Sequence, residues 1–129
     1  MKKKFLALLA TSLLVVSCLN QKQEGVVVAS PEDFQEKIVS SDVQLIDVRT
    51  HSEFSEGHIA NATNIDVLQS DFKDKVANLD KEKPVLVYCK KGGRSAKAAT
   101  ILKEMGFKEI TDLEGGFISW TKSGKEIEE

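Results

Sequence analysis

The sequence predicts an α/β domain, a central parallel sheet of five strands with helices on both faces. Two observations lead there. Short apolar runs alternate along the chain with segments whose apolar residues recur at helical spacing. One run, VLVY at 85–88, is apolar throughout and follows Pro84, as expected of a strand buried on both faces. In such sheets sites lie at the carboxyl ends of strands. Two chemically informative groups fall at such ends, Asp47 with Arg49, and Cys89.

The elements follow in order. Residues 26–28 (VVV) form a first strand. Ser30 is a good helix N-cap, Pro31 suits the first helical position, and Glu32 and Asp33 favour the positive end of the helix dipole. Phe34, Ile38 and Val39 give this helix a buried stripe. Residues 43–48 (VQLIDV) form a second strand, and 52–56 one helical turn stopped by Gly57. Residues 62–65 are a weaker strand. Phe72, Val76 and Leu79 lie at helical spacing over 72–79. After the 85–88 strand comes a helix over 95–105, with Ala98, Ala99, Ile101, Leu102 and Met105 on its apolar side and Gly106 at its end. A last strand at 110–113 and a last helix at 117–122 complete the domain.

Composition bounds the function. The 129 residues suffice for one domain, and 41% hydrophobic residues for an ordinary core. A net charge of −2 argues against a nucleic-acid partner. Two cysteines, Cys18 and Cys89, make no disulfide framework, and two histidines, His51 and His58, are too few for a histidine-rich metal site. Neither a metal nor a cofactor is expected, and nothing demands more than a monomer.

Residues 1–17 read as a signal segment. Lys2, Lys3 and Lys4 precede an uncharged, largely apolar run over 5–16, too short to span a bilayer. The run ends in Val15-Val16-Ser17-Cys18, which resembles the bacterial lipobox. That resemblance implies acylation of Cys18 and cleavage before it. The mature chain would carry fifteen basic and twenty acidic residues, a charge of about −5. Its lipid would attach it to a membrane of the bacterial envelope, facing the periplasm. Residues 18–25 would be the lipidated cysteine and a polar tether, and 26–129 the folded domain.

The loop Cys89-Lys90-Lys91-Gly92-Gly93-Arg94-Ser95 carries most information. It leaves a buried strand and enters a helix. Two glycines allow a tight turn with positive φ. Successive amides in such a turn form an anion nest, and the helix N-terminus adds partial positive charge. Lys90, Lys91 and Arg94 add formal charge. All these effects favour a thiolate at Cys89, facing an anionic substrate.

C-x-x-G-x-R-S from Cys89 to Ser95 resembles the active-site loop of rhodanese-type sulfurtransferases. Leu45-Ile46-Asp47-Val48-Arg49, Glu53-Phe54 with Gly57-His58-Ile59, Ala62-Thr63-Asn64-Ile65, and Leu113-Glu114-Gly115-Gly116-Phe117 with Trp120 and Gly124 are similar to further family segments in the same order. The likeness covers about residues 26–126. Asn61, where glycine is frequent, and Glu126, where proline is, depart from the pattern.

The resemblance implies a rhodanese-like fold and a persulfide mechanism. Cys89 thiolate takes the sulfane sulfur of a small anionic donor such as thiosulfate, and sulfite leaves. The sulfur then passes to cyanide, a thiol or a protein acceptor, in ping-pong order. Lys90, Lys91, Gly92, Gly93, Arg94 and Ser95 would cradle the persulfide. Asp47, Arg49 and Glu53 would stand behind them, with Asp47 able to bond the loop backbone. Arg94 has two readings, a donor contact or a structural partner of Glu53 or Asp47. If Cys18 is acylated, Cys89 is the only thiol, so the sulfur must leave to an outside acceptor. Phe117 and Trp120 read as core, His58 as satisfying the turn after Gly57, His51 as an exposed loop residue, and residues 125–129 as a solvated tail.

Two rival functions remain. One is a phosphatase or arsenate reductase of the C-x5-R kind; here four residues separate Cys89 from Arg94, not five. The other is a non-catalytic rhodanese-like module that docks a partner at the cell envelope, although such modules usually lack the cysteine.

Overall fold

The computed structural model describes residues 25–40 and 42–129. The signal segment, Cys18 and most of the tether lie outside the described residues. Strands β1 (Val26–Ala29), β2 (Gln44–Asp47), β3 (Thr63–Asn64), β4 (Val85–Tyr88) and β5 (Ile110–Leu113) form one sheet in the order β1-β5-β4-β2-β3. Every pairing is parallel. β4 lies in the middle and all four of its residues are buried, which is why its sequence shows no polar alternation.

Helices α1 (Pro31–Ser40), α2 (His51–Glu56), α3 (Phe72–Val76), α4 (Gly93–Glu104) and α5 (Gly116–Lys122) connect and cover the strands. Two cores result. Phe72 and Val76 of α3 and Ala98, Ala99 and Leu102 of α4 pack with Ile46, Val85 and Val87 on one face. Phe34 of α1 and Trp120 of α5 pack with Leu45, Leu86 and Tyr88 on the other. Helices thus lie on both faces, as the sequence predicts.

α1 starts as expected, with the Asp33 amide donating to Ser30 Oγ at 3.2 Å. Its stripe is narrower than predicted: Phe34 is buried and Ile38 partly so, but Val39 is 77% exposed. The 52–56 turn is a helix capped by a reciprocal box in which Thr50 Oγ1 accepts from the Glu53 amide at 3.2 Å. The third strand shrinks to two residues, having β2 as its single partner. α4 begins two residues before the predicted start, at Gly93, with Gly92 as its N-cap.

The C-terminal tail is largely exposed, as the sequence predicts, but its backbone is tied to the domain. His58 and Glu128 exchange two backbone hydrogen bonds of 2.8 Å each, and Trp120 Nε1 donates to the Glu126 carbonyl at 3.0 Å. His58 serves the turn as expected: its Nδ1 lies 2.9 Å from the Phe54 carbonyl, and its ring stacks on Phe54.

Candidate active site

The carboxyl ends of β2, β4 and β5 converge at one end of the sheet, and Cys89 leaves the central strand there. Its thiol is 1% exposed. The chain doubles back at once, so that the Gly92 amide donates to Cys89 Sγ at 3.0 Å. Ser95, in the first turn of α4, places Oγ 3.3 Å from the same sulfur and donates to the Gly92 carbonyl at 3.1 Å. Sulfur, turn amide and helix N-terminus therefore meet at one point. That arrangement favours negative charge on the sulfur or on a group attached to it.

Only one of the two loop glycines has positive φ. Gly92 sits at φ +124°, a region that disfavours any Cβ, whereas Gly93 has helical geometry and open space around it. The Gly-Gly pair allows positive φ in the turn, and the sequence does not show which of the two takes it, because it does not show where the helix starts.

The structure gives the loop cations different tasks. Lys90 and Lys91 are exposed and belong to none of the ion pairs of the described residues. Arg94 turns to Glu53, with Nη1 2.6 Å and Nη2 3.0 Å from the two carboxylate oxygens. This forked pair holds the Glu53 carboxyl at about 2, well below its ordinary 4.5. It ties α4 to α2, so of the two readings of Arg94 the geometry supports the structural partner of Glu53.

Asp47 does not bond the loop backbone. Its carboxylate is taken by Arg49, through the backbone amide at 2.9 Å and the guanidinium at 2.6–3.1 Å. Arg49 Nη2 also donates to the Gly57 carbonyl at 2.7 Å, and the guanidinium lies 4.2 Å from the Phe117 ring centroid. Both side chains are almost wholly buried. The pair joins the end of β2 to the turn after α2. A cleft of about 310 Å³ opens beside it, lined by Arg49, Glu53, Lys90, Phe117 and Thr121 among others. Phe117 thus faces the cleft as well as the core, while Trp120 is core as predicted.

Two contributors carried no role in the sequence. Gly116 brings α5 against the loop: its φ is +63°, and a Cβ there would lie 2.5 Å from the Lys90 carbonyl oxygen and 2.6 Å from that of Cys89. The following amides use that closeness, Phe117 donating to the Cys89 carbonyl at 2.8 Å and Ile118 to that of Lys90 at 3.1 Å. The paired glycines at 115–116 were the available signal. Asp112, in β5, is buried, and strand periodicity alone does not distinguish it from an exposed aspartate.

Comparison with known proteins decides the family. Residues 30–123 match the profile of the rhodanese-like domain. The chain belongs to the rhodanese-like family. Among relatives of this rhodanese-like domain, the thiosulfate sulfurtransferase GlpE of Coxiella burnetii is 42% identical over 86 residues, which cover 66% of this chain and 78% of that protein. A tRNA uridine(34) hydroxylase of Aster yellows witches'-broom phytoplasma is 35% identical over 107 residues, covering 78% of this chain but 34% of that protein. A rhodanese-related protein from Thermoplasma volcanium superposes with a TM-score of 0.71 at 33% identity, over 79% of this chain and 97% of its own.

Proposed function

We propose that this rhodanese-like protein is a sulfurtransferase that carries a sulfane sulfur on Cys89. The observation that carries the reading is the seat of Cys89 Sγ, 3.0 Å from the Gly92 amide at the N-terminus of α4. A thiolate there attacks the outer sulfur of thiosulfate or another sulfane donor. The new bond joins Sγ to that sulfur, sulfite departs with the electron pair of the broken S–S bond, and the persulfide keeps the negative charge. A thiol, cyanide or protein acceptor then attacks the terminal sulfur and returns the thiolate. The loop amides stabilise the terminal anion. Lys90 and Lys91 neutralise the approaching donor, while Arg94 and Glu53 keep the loop and α2 in register.

The cellular setting is also a proposal, supported by the sequence pattern at 2–18. Signal cleavage and acylation at Cys18 would tether a monomeric domain to the bacterial envelope, facing the periplasm. Radiolabelled palmitate should enter the wild-type chain and not Cys18→Ser.

The deciding experiment incubates the full chain with thiosulfate, removes the excess and weighs the peptide bearing Cys89. A gain of one sulfur atom, discharged by cyanide or a thiol and absent in Cys89→Ser, is expected. No gain with thiosulfate or other sulfane donors, with Cys89 reduced beforehand, would replace this reading by the docking one.

A further inference from the structure

The cleft beside the Asp47–Arg49 pair has a wall that the mechanism above leaves unused. Residues 125–129 are mostly exposed, so burial does not hold them in place. Hydrogen bonds hold them instead. Trp120 Nε1 fixes the Glu126 carbonyl, and the backbones of His58 and Glu128 bond each other in both directions. Ordering an exposed segment in this way costs conformational entropy and calls for a reason. Between the two anchors, Ile127 lines the cleft. A Cβ on Gly57 would lie 3.3 Å from Ile127 Cδ1 and 3.7 Å from Phe117 Cζ, so the bare glycine lets both apolar groups close over one point. Ile127 is still 39% exposed and keeps apolar surface for a ligand to cover.

The polar side chains of the cleft are largely engaged. Asp47 takes Arg49, Arg94 takes Glu53, and Thr121 Oγ1 donates to the Ile118 carbonyl at 3.0 Å. Phe117, Ile118 and Ile127 supply its apolar surface, and the exposed Lys90 and Glu56 also line it. The cleft abuts the loop that carries the sulfur. Lys90 follows Cys89 directly, the Phe117 amide donates to the Cys89 carbonyl at 2.8 Å, and Glu53 holds Arg94 at the far end of the loop. At about 310 Å³, on the order of ten water volumes, the cleft holds far more than a cyanide ion. Its apolar wall favours a ligand whose alkyl groups leave water against it.

We propose that this cleft seats the acceptor, that the acceptor is a small organic thiol with an alkyl chain, and that Ile127 is the specificity-determining residue that packs on that chain. The inference rests on Cys89 carrying the sulfur. In that step the acceptor thiolate attacks the terminal sulfur of the persulfide. A new S–S bond forms on the acceptor, the bond to Sγ breaks, and its electron pair restores the Cys89 thiolate.

The test loads the full chain from thiosulfate, removes the excess and discharges it with butanethiol or with mercaptopropanol, following the mass of the Cys89 peptide. The two thiols match in length and differ by a terminal methyl against a hydroxyl. Comparing their rate ratio between proteins cancels their intrinsic reactivity. The wild type should favour butanethiol. Ile127→Ser should lower that ratio about tenfold, the low end of what one methylene contact in an apolar pocket decides. Ile127→Leu, which conserves volume, should keep it within about twofold of wild type. An equal ratio in wild type and Ile127→Ser overturns the proposal. A second readout needs no sulfane sulfur. Butyl and hydroxypropyl methanethiosulfonates transfer the same chains to the Cys89 thiolate, which forms a disulfide as methanesulfinate leaves. Ile127→Ser should lose the butyl preference here too. If loading fails and this preference stands, the sulfurtransferase reading falls while the alkyl specificity of the cleft holds. Loading without the preference in either assay overturns the inference and leaves that reading intact.

Discussion

Gly92 and Gly93 are chemically identical, yet the backbone separates them. Gly92 holds φ +124° where its amide reaches Cys89 Sγ, and Gly93 opens α4 with free space around it. Gly92→Ala should therefore cost about 1–2 kcal/mol in urea unfolding and slow persulfide loading, while Gly93→Ala should neither destabilise the fold nor slow loading. Equal effects of the two would remove the left-handed turn as the source of the loop geometry. Asp47 is a second residue whose environment sets the outcome. It neutralises Arg49, and both are buried. Asp47→Asn leaves a buried guanidinium without its counter-charge and should cost about 3–5 kcal/mol. A loss below about 1 kcal/mol, the range of exposed pairs, would mean that water reaches Arg49.

At the scale of elements, the Glu53–Arg94 pair links α2 to α4. Glu53 titrates at about 2 in the folded chain against 4.5 ordinarily. A lowered carboxyl stabilises the fold fully above its unfolded value, and that contribution disappears as pH falls through the folded one. The pair should therefore support the fold above pH 4.5 and lose its effect between 4.5 and 2. Both side chains are about a quarter exposed, so the effect is on the order of 1 kcal/mol. Glu53→Gln should flatten this part of the acid unfolding curve; an unchanged acid limb would show that the pair does not hold the helices together. Here the sequence was legible in part. Glu53 and Arg94 are visible as candidates, but 41 residues separate them, and no local pattern pairs them. The helix start at Gly93 was misread for a related reason: glycine weighs against helix in propensity, and the turn that sets the start depends on the Cys89 sulfur.

For the whole molecule, stability rests on two cores divided by one sheet. Phe34 is wholly buried and meets Trp120 edge-on, the ring centroids 6.2 Å apart. This contact joins α1 to α5, and α5 carries Gly116 against the cysteine loop. Phe34→Ala should cost about 3–5 kcal/mol. It should lower the urea midpoint with little change in slope. A much smaller loss would mean that α1 is peripheral to this core.

The sequence by itself determined the α/β class, the order of strands and helices, and the strand-end position of Cys89. These follow from local periodicity, caps and glycine punctuation, which neighbouring residues encode. The tertiary structure alone decided that Arg94 pairs with Glu53, that Arg49 rather than the loop takes Asp47, and that Gly116 abuts the Cys89 and Lys90 carbonyls. Each depends on distant segments meeting at one end of the sheet. Strand order and register fix those meetings, and hydrophobic periodicity carries no information about partners so far apart in the chain.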